Sequence, residues 1–69
     1  MKRKKVESSV LKSVGYNKRK KLLETELVDN SVYEYYKVPV ADYTNLMNSS
    51  SLGEYYNKAI KKYSHGKLK

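Results

Sequence analysis

The chain has 69 residues and no cysteine, which limits it to one small domain without a disulfide framework or a thiolate metal site. Its single histidine cannot by itself build a metal site or a histidine-based catalytic triad, and no apolar run approaches the roughly 20 residues that cross a bilayer. Fifteen Lys and Arg residues against seven Asp and Glu residues give a formal net charge of +8, which favours polyanionic partners: RNA, DNA, an anionic membrane surface or an acidic protein.

The N-terminal residues predict a basic arm. Residues 2–5 read KRKK, and adjacent cations repel one another and bury nothing, so residues 1–6 are predicted to be disordered. No apolar segment of the kind found in signal peptides follows these charges. We therefore expect a soluble, cytoplasmic protein.

Three segments after the arm predict β-strands. Residues 8–16 are rich in β-branched and aliphatic side chains, and a polar turn, residues 17–21, follows them. Residues 22–28 alternate between two faces, and an Asp-Asn pair then signals a tight turn before the third strand, residues 31–38. The three strands are predicted to form an antiparallel meander.

The remaining chain predicts two short helices. A proline closes the third strand and favours a helix start, so residues 40–48 are predicted to be the first helix. Ser51 and Glu54 have the spacing of a capping box, and the second helix is predicted to run from there to about Tyr63. An apolar stripe follows this helix at Leu52, Tyr56, Ile60 and Tyr63.

These elements together predict an α+β fold. A three-stranded antiparallel β-meander is followed by two short α-helices packed on one sheet face, in the order β-β-β-α-α. Residues 7–63 form the single domain, and residues 64–69 are predicted to be a frayed basic tail.

The register of the second hairpin depends on the length of its loop. A two-residue loop, Asp29-Asn30, would place Glu34 on the leucine face and bury a carboxylate without a partner, which is costly. A three-residue loop, with Asn30 in the left-handed conformation that Asn tolerates, places Tyr33 and Tyr35 on the core face and leaves Glu34 in solvent. We favour the three-residue loop.

This register makes the open face of the sheet acidic. Glu24 then lies opposite Glu34, and like charges directly across a ladder repel, although a neighbouring cation such as Lys12 could relieve the repulsion. Base stacking on a sheet needs exposed aromatic rings with cations around them. We therefore expect Tyr33 and Tyr35 to pack in the core, rather than to stack on the bases of a nucleic acid.

Positive charges concentrate at the rim of the predicted fold. One group is the hairpin turn, and the other lies on the polar side of the second helix; such cations contact phosphates without reading sequence. Tyr55, beside the second group, could stack on one base, and a tyrosine covered by lysine stems is an equal alternative. The predicted nucleic-acid-binding residues are Lys18, Arg19, Lys20, Lys21, Tyr55, Lys58, Lys61 and Lys62.

Several short segments resemble one known family in their order and spacing. They are Ser8-Ser9, Val14-Gly15-Tyr16, Val32-Tyr33-Glu34-Tyr35, Val38-Pro39, Tyr43 with Leu46-Met47, and Ser51-Leu52-Gly53-Glu54-Tyr55-Tyr56-Asn57. The chain thereby resembles the KTSC domain over about residues 7–63, a module named for its occurrence at the C-terminus of some lysyl-tRNA synthetases and also found alone in small bacterial and phage proteins. The resemblance suggests RNA binding and brings no catalytic residues. The turn departs from the family, which often has Gly where this chain has Asn30.

The chemistry of the sequence predicts a binding protein. We find no Gly-rich phosphate loop, no metal-spaced cluster and no nucleophile beside a base, so we expect a non-enzymatic protein without cofactor, small-molecule substrate or membrane partner. The leading hypothesis is a module that binds RNA or another polyanion through its basic rim. The alternative is a protein-interaction module, such as a phage-type protein acting on a host factor, in which the basic surface meets an acidic protein or a strand edge pairs with the partner.

Overall fold

The sheet has five antiparallel strands in the order β1-β2-β3-β4-β5. In the computed structural model, which describes residues 2–69, the strands are β1 (Lys4–Lys5), β2 (Leu11–Asn17), β3 (Leu22–Leu27), β4 (Val32–Tyr35) and β5 (His65–Lys67). The α+β class, the central antiparallel meander and the two helices that follow it are as predicted. The predicted number of three strands was wrong, because one further strand is added at each edge.

The two additional strands come from the predicted arm, residues 1–6, and the predicted tail, residues 64–69. β1 pairs with β2 opposite Val14 and Ser13, and β5 pairs with β4; Met1 lies outside the described residues. Strands of two and three residues are too short to show an alternating pattern. Lysines at both edges are typical of edge strands, since they discourage pairing with a further chain.

The β3–β4 hairpin has the favoured three-residue loop. Leu23 pairs with Tyr35, and Asn30 has a φ of 73°, which is the left-handed conformation that the loop requires. The amide of Leu27 donates to the carbonyl of Ser31 at 2.8 Å and closes the loop. The register therefore sends both tyrosines of β4 to the helix-covered face.

The first helix agrees with its prediction, and the second differs. α1 (Val40–Asn48) has the predicted bounds, whereas α2 (Leu52–Tyr55) continues as a π-helical turn, Tyr56–Ile60, instead of an α-helix to about Tyr63. In the π-helical turn the amide of Lys61 donates to the carbonyl of residue 56 at 3.1 Å. Residues 56 and 60, at the two ends of this segment, are both buried in the core.

α2 packs closely on the segment that leads into β2. The Oγ of Ser51 accepts a hydrogen bond from the amide of Glu54 at 3.3 Å, as the N-cap of the predicted capping box should. Gly53 is buried, and a Cβ atom there would lie 2.9 Å from the Cγ2 atom of Val10. A glycine is therefore needed for this close approach.

Tyrosines occupy the positions in the core that phenylalanine or tryptophan often fill, and the sequence has neither. Tyr35 and Tyr56 are 2% and 1% exposed, their rings meet edge to face, and their hydroxyl groups are hydrogen-bonded to each other. Tyr33 is only half-buried, at the margin of the core. The other fully buried apolar residues in contact with them are Leu11, Val14, Leu23, Val38, Leu46 and Ile60.

The open sheet face is acidic, and Arg3 compensates it instead of Lys12. Glu24 lies opposite Glu34, as the register requires, and Arg3 forms an ion pair with Glu24. The Nζ atom of Lys12 donates to the Oδ1 atom of Asn30 at 2.6 Å. The segment predicted to be disordered thus supplies the cation that relieves the repulsion between the two glutamates.

Candidate functional site

Two loops that carry exposed cations meet at one end of the sheet. The β2–β3 turn contains residues 18–21, and the loop between β4 and α1 contains Lys37. The amide of Val38 donates to the carbonyl of Lys21 at 2.9 Å and joins the two loops. All five cations are exposed, and we call them the basic loop pair: Lys18, Arg19, Lys20, Lys21 and Lys37.

The backbone of the basic loop pair is held in an unusual conformation. Lys21 has a φ of 54° and Lys37 a φ of 57°, a left-handed conformation that side chains other than glycine adopt only at a cost. The Oδ1 atom of Asn17 accepts a hydrogen bond from the amide of Lys20 at 3.0 Å and shapes the turn. Since strained backbone tends to occur at functional sites, both strained lysines are candidates for a binding role.

A stacked tyrosine pair holds the basic loop pair against α1. The rings of Tyr16 in β2 and Tyr43 in α1 lie 4.7 Å apart between centroids, with planes 8° from parallel. The hydroxyl of Tyr16 donates to the carbonyl of Val38 at 2.6 Å. Burial raises the pKa of this hydroxyl above its ordinary value.

The charge of the basic loop pair lacks a nearby carboxylate partner. Within residues 2–69, the one ion pair joins Arg3 to Glu24. Neither residues 17–21 nor residues 36–39 include Asp or Glu. Like charges in two joined loops produce a positive potential that attracts anions.

The second predicted group of lysines belongs to the π-helical turn and the residues after it. Lys58, Lys61 and Lys62 are exposed and lie on or just after the π-helical turn. The Nζ atom of Lys61 is 5.7 Å from the centroid of the Tyr56 ring, and that of Lys62 is 5.4 Å from the centroid of the Tyr63 ring. Lys61 also lines a cleft with residues of β4 and β5. The structure adds Lys37, which the sequence analysis did not include, to the exposed cations.

Tyr55 connects α2 to α1. Its hydroxyl donates to the Oδ1 atom of Asp42 at 2.9 Å, and the hydroxyl of Tyr63 donates to the other oxygen of the same carboxylate. Burial, followed by the hydrogen bond to Asp42, raises the pKa of Tyr55. This contact gives Tyr55 a bracing role; base stacking by its ring stays a prediction.

A cleft of about 300 Å³ opens between the sheet and the π-helical turn. Three of its six lining residues are tyrosines, and its mouth carries a lysine that follows the π-helical turn and a histidine of β5. We call it the aromatic cleft, and its lining residues are Leu27, Tyr33, Tyr35, Tyr56, Lys61 and His65.

The histidine of the aromatic cleft packs on two tyrosines of β4. Its ring centroid lies 5.0 Å from that of Tyr35 and 6.0 Å from that of Tyr33, and the Nδ1 atom of His65 is 3.0 Å from the carbonyl of Tyr63. Lys67 pairs with Tyr33 in the β4–β5 register, which places a further cation on this sheet face. The sequence analysis did not include His65 and Lys67 in a site. They lie two residues apart, which would place both side chains on one face of a strand, and this spacing was the one indication of β5 in the sequence.

In the described part of the chain, residues 2–69, no group of three or more His, Cys, Asp or Glu side chains is placed to hold a metal ion. No helix in that part has both the length and the apolar character needed to cross a membrane.

The sequence and the structure both match one family. The family model described as the KTSC domain matches residues 7–63. The crystal structure of a KTSC domain protein from Yersinia pestis matches with a TM-score of 0.95 and 30% sequence identity, over 99% of this chain and 97% of that chain. The structural match thus extends to both edge strands, β1 and β5, which lie outside residues 7–63.

Two kinds of relative show the same likeness. A lysine–tRNA ligase of Nostoc punctiforme is 42% identical over 57 residues, which are 83% of this chain and 10% of the ligase. An uncharacterized protein of Stutzerimonas stutzeri is 36% identical over 61 residues, which are 88% of this chain and 86% of that protein. The chain therefore spans about a tenth of the length of the ligase and most of the length of the second relative.

Proposed function

Because the chain belongs to the KTSC domain family, a family with a counterpart inside lysine–tRNA ligases, we propose that it is a small, non-enzymatic module that binds RNA. The basic loop pair would contact the phosphates. Such contacts provide affinity and fix the orientation of the bound strand, and they do not select its sequence. Lys58, Lys61 and Lys62 would extend the contact along the π-helical turn.

The joining of the two basic loops supports this proposal most strongly. The hydrogen bond between Val38 and Lys21 and the stacked pair of Tyr16 and Tyr43 fix the loops before any ligand arrives. A preformed cationic surface loses less conformational entropy on binding than a flexible tail of the same charge. The arrangement therefore suits a polyanion with regularly spaced charges.

The relatives favour RNA among the polyanions. The ligase relatives are named for tRNA, and they carry a segment similar to this chain over 57 residues. Because the chain spans only 10% of each ligase, aminoacylation is no part of the proposal. Binding to the RNA backbone is the property that so short a segment can contribute.

Fluorescence anisotropy with a labelled single-stranded RNA, measured over a series of KCl concentrations, tests the proposal. For each phosphate neutralised, the slope of log K against log salt should steepen by about 0.7. The double substitution Arg19→Gln with Lys20→Gln should weaken binding and flatten this slope. Lys4→Gln with Lys5→Gln removes the same charge from β1 and serves as the control. Binding that ignores salt, or equal losses in both double variants, would contradict the proposal.

A second candidate function is the binding of an acidic protein. β1 and β5 end the strand order of the sheet. Their lysines oppose pairing with most chains, but they would attract an extended acidic segment of a partner to the outer edge. One stoichiometric protein captured from a nuclease-treated lysate, and retained by the Arg19→Gln, Lys20→Gln variant, would favour this candidate over RNA.

A further inference from the structure

The aromatic cleft carries groups that phosphate binding at the basic loop pair does not use. Its volume of about 300 Å³ lies at the lower end of the range for small-ligand pockets, which suits one flat ring system and little more. Tyrosine rings and an imidazole line it, and aromatic rings of this kind stack on nucleobases without regard to sequence.

Tyr33 is the ring that a ligand can reach. It lines the cleft and is half-buried, whereas Tyr35 and Tyr56 are 2% and 1% exposed and form the deep part of the lining. His65 meets Tyr33 edge to face, and a contact of this kind covers at most one face of the tyrosine ring. A flat ring entering the cleft would therefore stack on Tyr33.

Tyr35 and Tyr56, the two buried tyrosines of the cleft lining, carry a hydroxyl pair that can act as a hydrogen-bond donor. When the hydroxyls of Tyr35 and Tyr56 bond to each other, one proton lies between them, and the accepting hydroxyl keeps a second proton. Within residues 2–69 neither hydroxyl has another hydrogen-bond partner. A donor buried in this way needs an acceptor atom, and the carbonyl oxygens and ring nitrogens of nucleobases are such atoms.

Cations stand where the phosphate of a bound nucleotide would leave the cleft. Lys61 is exposed and lines the mouth. Lys67 pairs with Tyr33, so its side chain lies on the same sheet face. The mouth thus combines a stacking ring with positive charge, as single-stranded nucleic-acid sites do.

We propose that the aromatic cleft binds one unpaired nucleobase, stacked on Tyr33 and hydrogen-bonded to the Tyr35–Tyr56 hydroxyl pair, with its phosphate on Lys61. The proposal rests on the proposed function, in that the RNA strand supplies the base; a free mononucleotide offers the same chemistry. A base inside a duplex is stacked and paired and cannot enter. The cleft would therefore select single-stranded over double-stranded RNA, which the basic loop pair alone cannot do.

Titration with UMP and with AMP, followed by amide chemical shifts in NMR spectra, tests the cleft directly. Saturable shifts at residues 33, 61 and 65 are expected in the native chain and in Tyr33→Phe, which keeps the ring. They should be lost in Tyr33→Leu and kept in Tyr36→Leu, the same change three positions further along the chain, whose side chain is on the other sheet face. An absence of shifts, or shifts confined to residues 18–21, would overturn the proposal.

Comparison of single-stranded RNA with a duplex of the same sequence separates this proposal from the proposed function. Tyr33→Leu should weaken single-strand binding about tenfold, with duplex binding and the salt slope unchanged. The Arg19→Gln, Lys20→Gln variant should weaken both RNAs and leave the mononucleotide shifts intact. If no RNA binds and the mononucleotide shifts persist, the proposal of RNA binding is wrong and the cleft is a nucleotide-binding site. If RNA binds and Tyr33→Leu has the same effect as Tyr36→Leu, the proposal of a base in the cleft is wrong and the proposal of RNA binding is supported.

Discussion

The hydroxyl groups of Tyr35 and Tyr56 are hydrogen-bonded to each other inside the core, and their rings meet edge to face with centroids 5.8 Å apart. Removal of either hydroxyl leaves the other buried without a partner in the protein. We expect Tyr35→Phe or Tyr56→Phe to lower the free energy of unfolding by about 1–2 kcal/mol, and the double substitution to cost less than the sum of the two. Urea unfolding of the four proteins measures this coupling. If the losses are additive, the hydrogen bond between the two hydroxyl groups contributes no coupling free energy to stability.

Arg3 is expected to stabilise the sheet through its ion pair with Glu24. The side chains of the pair are 30% and 13% exposed, and Glu24 also faces Glu34 across the ladder. Arg3→Gln should lower the free energy of unfolding by about 0.5–1 kcal/mol, and the loss should shrink at high salt. Lys5→Gln, a neighbouring change in β1 at a residue without an ion pair, is the control. Equal effects of the two substitutions would argue against a specific role for Arg3.

Two tyrosines share the carboxylate of Asp42, and this contact predicts a decline of stability in alkali. The hydrogen bond to Asp42, followed by burial, raises the pKa of Tyr63 from 10.0 to about 12. The unfolded chain therefore releases this proton first, so the stabilisation is complete below pH 10 and falls as the pH rises from 10 to about 12.

Urea unfolding across this alkaline window measures the contribution of Tyr63. The decline should be shallower in Tyr63→Phe than in the native chain. Tyr33→Phe, which removes a hydroxyl from β4, should keep the native slope. An unchanged slope in Tyr63→Phe would mean that the contact with Asp42 does not raise the pKa of Tyr63 in the folded protein.

The hairpin shows what the sequence can predict about this fold. Burial of Glu34 was too costly in one of two registers, and Asn30 could adopt the conformation that the other needed, so local chemistry was enough to choose the observed pairing. The edge strands could not be predicted in this way. β5 pairs with β4, which is distant in sequence, and the lysines and glycine of the two edge strands have low strand propensity.

The candidate surfaces were predictable to a different extent. The exposed cations at residues 18–21 follow from sequence alone, because a run of like charges cannot be buried. Lys37 joins them only through the hydrogen bond between Val38 and Lys21, a tertiary contact. His65 reaches the tyrosines of β4 because β5 forms, so the aromatic cleft could not be predicted while residues 64–69 were taken as a tail.

Lys37 is expected to reduce stability while it contributes to binding. Its φ of 57° costs free energy for any residue with a side chain and none for glycine. Glycine also makes the unfolded chain more flexible, which lowers the stability, but this loss is smaller than the gain from the relieved backbone. Lys37→Gly should therefore raise the free energy of unfolding by about 0.5–1 kcal/mol. Lys37→Gln keeps the strained conformation and should leave stability nearly unchanged.

Both substitutions remove the same charge from the basic loop pair, so both should weaken RNA binding to a similar degree and flatten its salt dependence by about 0.7. Chemical denaturation and anisotropy on the same protein samples measure the two properties together. A gain in stability in Lys37→Gly without loss of binding would place Lys37 outside the RNA contact. Loss of stability in Lys37→Gly would show that the left-handed conformation is not strained in this loop. The backbone conformation would then give no reason to assign Lys37 a binding role.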